Sequence, residues 1–171
     1  LPIVISIGGG NDKQVDISKK TIQKFSKKKI IVLHCNSEYP TPYNHLGLNN
    51  ITKLKKKYKK AQIGLSDHFN GILSGPLAYM LGARVFEKHV TLNRSWVGTD
   101  HSFALEPEGF RKFVRDIKRT PLMLKLKNKN LLGKEPVFKK LGKSLALNKK
   151  LQKGNKIKID DLTGIIFDKN Y

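Results

Sequence analysis

The chain has 171 residues, of which 39% are hydrophobic and 27% charged. This is enough apolar material for one domain with a core, and it excludes an intrinsically disordered tail. No run approaches the roughly eighteen apolar residues that a bilayer span needs, nothing resembles a secretory signal, and the net charge of +21 is carried by lysines spread through every segment.

That spread reads as solvated helix faces with compositional bias rather than a nucleic-acid surface, because the few aromatics are not interleaved with the basic runs. Only KLKKKYKK, residues 53–60, tempts a reading as a basic binding patch.

The first element is PIVISIG, residues 2–8, a short apolar run with β-branched residues that predicts a strand. After a glycine cluster, QVDISKKTIQKFSKK has helical spacing at Val15, Ile17, Ile22 and Phe25. KIIVLHC, residues 29–35, reads as a buried strand. Its Cys35 is the only cysteine, so an internal disulfide is excluded and a reducing cytoplasm fits; its expected role is a small residue packed in the sheet. The stiff loop NSEYPTPYNH leads into a basic helix, LNNITKLKKKYKK. AQIGLS is the third strand, GILSGPLAYMLG the third helix with Gly82 as its stop signal, and RVFEKHVT the fourth strand. The loop LNRSWVGTDHSFAL, with Trp96 as a lid or substrate contact, precedes a helix over 106–120 with Pro107 in its first turn.

This alternation predicts parallel strands with helices packed outside, an α/β fold, either an open doubly wound sheet or half of an eight-stranded barrel. Residues 121–142 read as a linker. From 143 the pattern changes to short strands around a turn at Gly154. The chain opens on a strand without Met and stops soon after this β-rich unit begins, so a piece of a longer protein is expected.

Parallel α/β folds place their chemistry at the carboxyl ends of the strands. Alternation puts Ser66 and His68 on one face with Asp67 opposite, and Glu87 and His89 on one face with Lys88 opposite. Cys35, Ser37 and Tyr39 are in phase, and Ser6 ends the first strand. If these sets face a common centre, two imidazoles converge among hydroxyls and a carboxylate. Such a pair suits a divalent metal with open positions, with Glu87 or Asp100 fixing a ring from outside. His34, His45 and His101 are read as non-ligands.

LHCNSEYPTPY, IGLSDH, FEKHVTL and GTDHSFALEPEGF, in that order and spacing, closely resemble the sialic acid synthase family. The resemblance implies a (β/α)8 barrel followed by a small antifreeze-like domain. Residues 1–120 would be strands 5–8 of the TIM barrel, 121–142 a linker, and 143–171 the truncated start of the antifreeze-like (SAF) domain. It implies condensation of phosphoenolpyruvate with the open-chain aldehyde of an N-acetylated aminohexose, giving a nine-carbon 2-keto-3-deoxy acid and phosphate.

Carried over by residue, His68 and His89 would hold Mn2+ or Mg2+. Ser6, Ser37 and Ser66 would contact phosphoenolpyruvate, Tyr39 and Asp100 the acceptor sugar, and Glu87 would be the supporting carboxylate. A cytoplasmic, domain-swapped homodimer is implied for the full-length protein, with no nucleic-acid or membrane partner and no activity in this piece alone. Asn36, the SIGGG turn and Phe69 depart from the family pattern around the phosphoenolpyruvate pocket. The alternatives are another phosphoenolpyruvate-condensing barrel of the octulosonate- or heptulosonate-phosphate type, or a basic nucleic-acid-binding fragment.

Overall fold

Short runs of Ile, Val and Leu separated by helix-forming segments produce one parallel sheet in the computed structural model, which describes residues 2–125 and 134–166. Its strands are β1 (Ile3–Ser6), β2 (Ile30–Cys35), β3 (Gln62–Asp67) and β4 (Val85–Lys88), paired in sequential order and all parallel. They alternate with α1 (Asp12–Phe25), α2 (Asn50–Lys57), α3 (Ser74–Leu81) and α4 (Pro107–Met123). Contacts divide the chain into two units, Leu1–Leu124 and Lys125–Tyr171. The middle of the stretch read as a linker, residues 126–133, and Phe167 of the last apolar run lie outside the described residues.

In the first unit, Val32, Ile63 and Leu65 pack with Val15, Ile51, Leu54, Tyr58 and Ala78 into the core between sheet and helices. Since side chains alternate along a strand, this packing turns Ser66 of β3 to the other face. β2, IIVLHC, is buried through His34, and a strand covered on both sides reads as a continuous apolar run.

The first helix departs from its sequence reading in two ways. It begins at Asp12, because Asn11 and Gln14 form a reciprocal capping box: each side chain accepts the other's backbone N–H, at 3.0 and 2.9 Å. Of the apolar face expected from spacing, Val15 is buried and Ile22 partly so, whereas Ile17 is 55% and Phe25 86% exposed. At about 100° per residue, Ile17 stands about 200° around the helix from Val15, so the two cannot share a stripe.

The basic residues of α2 are largely solvated, as read, but Lys57 pairs with Asp12 at 3.1 Å and Asp16 at 3.2 Å. Buried Tyr58 donates its hydroxyl to Asp16 Oδ1 at 2.7 Å, tying the end of α2 to α1. Helix α3 ends at Gly82 as expected, where φ of 114° is a left-handed conformation that glycine adopts without steric cost. Helix α4 continues past Pro121 to Met123, beyond the expected stop at Thr120. A proline so near the end forfeits one intrahelical bond, and Thr120 Oγ1 donates to Asp116 O at 2.8 Å on the turn before.

In the second unit, α5 (Pro136–Leu141) occupies part of the stretch read as linker. β5 (Ser144–Leu147) pairs antiparallel with β6 (Leu162–Ile165). Gly154, with φ of 97°, does form a turn, but the strands do not flank it directly as the sequence suggested. The intervening excursion is closed by Asp161, which is 4% exposed and accepts from Lys149 Nζ at 2.5 Å and Lys158 N–H at 2.9 Å.

These donors, Lys149 first, hold the Asp161 carboxyl below its ordinary value. A carboxyl depressed on folding stabilises the unit above its unfolded pKa of about 3.9 and loses that contribution as pH falls through the lower folded value. Asp161→Asn should flatten the acid limb of thermal stability against pH; an unchanged limb would show the contact contributes nothing. Among the described residues, no helix is long and apolar enough to cross a membrane.

Candidate active site

The sheet face away from the helices carries polar groups at its carboxyl end. Register pairs Ser66 of β3 with Glu87 of β4, and Ser66 Oγ donates to Glu87 Oε1 at 2.6 Å. One residue beyond each strand end stand His68 and His89, with ring centroids 5.2 Å apart and planes at 71°. Tyr39 lies over His68 at 4.2 Å between centroids and reaches within 6.0 Å of His89. Phe103 backs the His89 ring at 5.1 Å. Ser66, His68, Glu87 and His89 line an open cavity of about 200 Å³ together with Asp67 and Lys88.

The hydrogen bonds set which ring nitrogens face the cavity. His68 Nδ1 lies 2.7 Å from Asn36 O, and a carbonyl only accepts, so Nδ1 carries the proton and Nε2 keeps its lone pair. His89 Nδ1 faces Asp100 Oδ2 at 3.6 Å, which places the Asp100 carboxylate outside the ring rather than on its Nε2. Two imidazoles, one with its Nδ1 on a backbone carbonyl and the other with its Nδ1 facing a carboxylate, are the kind of donor set that a borderline divalent cation takes. Among the described residues, no three His, Cys, Asp or Glu side chains gather as a metal cluster, so an ion here would draw further ligands from water or substrate.

The other sequence-selected residues fall at different distances from this pair. Tyr39, Ser66, Glu87 and Asp100 join it. Ser37 stands at the β1–β2 side, where a Cβ on Gly8 would collide with Ser37 Oγ and Cys35 Sγ and force both to shift. Ser6 is level with Leu33 in the register, whereas Cys35 pairs with Ser66, so Ser6 lies lower on β1 than the histidine pair. Cys35 is half-buried with its thiol 4.0 Å from His68 Nδ1, not packed in the core as expected. His34, His45 and His101 each have a local partner, in Leu46 O, Glu38 and Thr91 respectively. Trp96 packs edge-on against His101 at 5.7 Å.

Two features escape a reading by spacing. Thr41, in the proline loop, is 2% exposed; its N–H donates to His68 O at 3.0 Å and its hydroxyl contacts Glu38 O at 2.9 Å and Asn36 O at 3.3 Å. It therefore anchors the loop that supplies the carbonyl partner of His68. Thr41→Val keeps the shape and removes the hydroxyl, so a loss of about 1–2 kcal/mol is expected in denaturant unfolding. Unchanged stability would refute the anchor.

The second feature is on the helix side of the sheet, where Lys88 Nζ meets Asp67 Oδ2 at 2.9 Å with both side chains at 1% exposure or less. Burial draws the Lys88 ammonium below the usual lysine range, against the opposing pull of the Asp67 charge.

Residues 1–129 match the NeuB family model. N-acetylneuraminate-9-phosphate synthase of Homo sapiens is 34% identical over 165 residues, covering 95% of this chain and 45% of that protein. N,N'-diacetyllegionaminic acid synthase of Legionella pneumophila is 31% identical over 167 residues, covering 95% of this chain and 47% of that protein. The crystal structure of N-acetylneuraminic acid synthetase from Leptospira borgpetersenii serovar Hardjo-bovis, in complex with citrate, superposes with a TM-score of 0.70 at 32% identity, over 78% of this chain and 48% of that one. The chain spans about half the length of the curated relatives it matches. Both histidines and all four parallel strands fall inside the matched segment, and the chain belongs to the NeuB family, the sialic acid synthases that its motifs resemble.

Proposed function

We propose that the intact protein is a cytoplasmic nonulosonic acid synthase. It joins phosphoenolpyruvate to the open-chain aldehyde of an N-acetylmannosamine-type sugar and releases a nine-carbon 2-keto-3-deoxy acid and phosphate. In this reading β1–β4 are strands 5–8 of a (β/α)8 barrel, a placement supported by their sequential parallel order. The second unit opens an antifreeze-like domain, and the full-length protein works as a domain-swapped homodimer. The 171-residue chain by itself is inactive, because a half-barrel leaves two sheet edges unpaired.

The observation that carries the proposal is the pair of rings 5.2 Å apart, His68 with its Nδ1 side held on a backbone carbonyl and His89 with its own facing a carboxylate. Their Nε2 atoms would hold a divalent cation, and imidazole donors favour Mn2+ over the harder Mg2+. Such an ion supplies Lewis acidity toward the acceptor aldehyde, which the weakly nucleophilic enol carbon needs.

Ser66, Ser37 and Ser6 bind the carboxylate and phosphate of phosphoenolpyruvate, Ser66 by turning its hydroxyl from Glu87 to the anion, which the basic chain attracts. Tyr39 and Asp100 bind hydroxyls of the acceptor sugar, and Asp100 also orients His89. Once the carbon–carbon bond forms, water adds to the resulting cationic carbon, Glu87 in the cavity takes one of its protons and passes it to the alkoxide left from the aldehyde, and the tetrahedral adduct expels phosphate, which carries the other proton.

The test is phosphate release by the intact protein from phosphoenolpyruvate with N-acetylmannosamine, a diacetamido-trideoxyhexose and phosphorylated acceptors, before and after chelation. Release with an N-acetylated acceptor, lost on chelation and restored by Mn2+, is expected. Turnover with only octulosonate- or heptulosonate-type precursors would overturn the substrate assignment, and turnover that survives chelation would overturn the metal.

A further inference from the structure

The buried ion pair behind the site is joined to both histidines through the backbone. Asp67 and Lys88 are register partners across β3 and β4, and each directly precedes one histidine of the pair. Asp67 Oδ1 accepts the Phe69 N–H at 3.1 Å, so the carboxylate grips the chain on both sides of His68. Asp67 Oδ2 accepts Lys88 Nζ at 2.9 Å and Ser74 Oγ at 2.5 Å, the latter from the first turn of α3. Lys88 Nζ also donates to Phe69 O, reaching from the residue before His89 to the residue after His68. The rings of Phe69 and Phe113 each lie 5.9 Å from Nζ.

A hydrophobic pair of similar volume would serve stability at least as well, because burying two charges costs about what their attraction returns. What apolar packing cannot supply is direction. Carboxylate and ammonium fix residues 67, 69 and 88 by hydrogen bonds of defined angle, and those residues set where the two rings point.

Resting on the proposed metal pair, we infer that Asp67 and Lys88 are positioning residues that hold His68 and His89 at the separation and orientation needed to share one divalent cation. Although both residues border the cavity, their side chains are 1% exposed or less and turned toward the helices, so they act on the ion only through the histidines.

The experiment uses the intact protein and Mn2+ alone, with affinity read from the free-ion electron paramagnetic resonance signal, histidine nitrogen couplings from echo modulation, and folding from thermal melting. The double variant Asp67→Leu/Lys88→Met should melt close to wild type, yet bind Mn2+ about 10–100-fold more weakly and lose one or both nitrogen couplings. Lys88→Arg, which keeps charge and donors, should retain the affinity within about 3-fold. Ser74→Ala, which removes a single donor to Asp67 without leaving a charge unpaired, should weaken Mn2+ about 3-fold, and it decides the matter if the double variant does not fold.

Wild-type affinity with both couplings in the folded double variant, or in Ser74→Ala where that variant is unfolded, would overturn the inference and leave the proposed function standing. Failure of the wild-type protein to bind Mn2+ would overturn both.

Discussion

His89→Ala in the intact protein is expected to lower kcat/KM for condensation by about a thousand-fold or more, the loss of about 4 kcal/mol of transition-state stabilisation. Each histidine is one of the two ligands that the described residues offer the proposed ion, so His68→Ala should lose at least as much. The two variants separate in stability. His68 is 6% exposed, stacked on Tyr39 and bonded to Asn36 O, so its removal leaves a cavity and an under-satisfied carbonyl worth about 1–3 kcal/mol. The His89 side chain is 29% exposed, and its loss should leave the melting temperature nearly unchanged. Steady-state phosphate release and thermal melting on the same preparations check both statements. Wild-type turnover by either variant would remove the reaction centre proposed here.

Lys88→Ala is expected to destabilise the protein by about 3–5 kcal/mol, the largest stability effect predicted for a single side chain in it. The deletion leaves the Asp67 carboxylate, 1% exposed, facing Ser74 Oγ and the Phe69 N–H with no countercharge, and it leaves Phe69 O without the ammonium. Asp67→Ala should cost a similar amount by stranding the ammonium among aromatic rings. Removing both partners together should cost much less than the sum of the two, giving a coupling of several kcal/mol in a double-mutant cycle. Additive losses, or single losses below about 1 kcal/mol in denaturant unfolding, would mean that water reaches the pair.

Much of this was legible in the order of residues. Short β-branched runs alternating with helical segments gave the parallel sheet, because hydrophobic periodicity and the need for a crossover between parallel strands are local constraints. Gly82 marked a helix end by its tolerance of positive φ. Pleat alternation alone placed Ser66 with His68 and Glu87 with His89 on one face.

The same local logic failed where a residue's environment depends on a distant partner. Ile17 and Phe25 look like core residues, but Ile17 faces away from the stripe that docks and Phe25, the last residue of α1, is left exposed; only the packed sheet defines which residues that stripe covers. Pro121 looks like a helix terminator, yet α4 runs through it at the cost of one bond. Asn11 and Gln14, three residues apart, spell out a capping box in the sequence itself.

By itself, then, the sequence determined the strand–helix order, the faces of the strand ends and the family, since each follows from spacing along one segment or from matched motifs. Only the tertiary structure decided that the two rings lie 5.2 Å apart, that Thr41 supports the Asn36 carbonyl, and that Asp67 and Lys88 neutralise each other in the interior. Those facts depend on the register between β3 and β4 and on a loop folding back onto a strand end. Register is set by the packing of the whole sheet, and a shift of one residue would send each of these side chains to the opposite face.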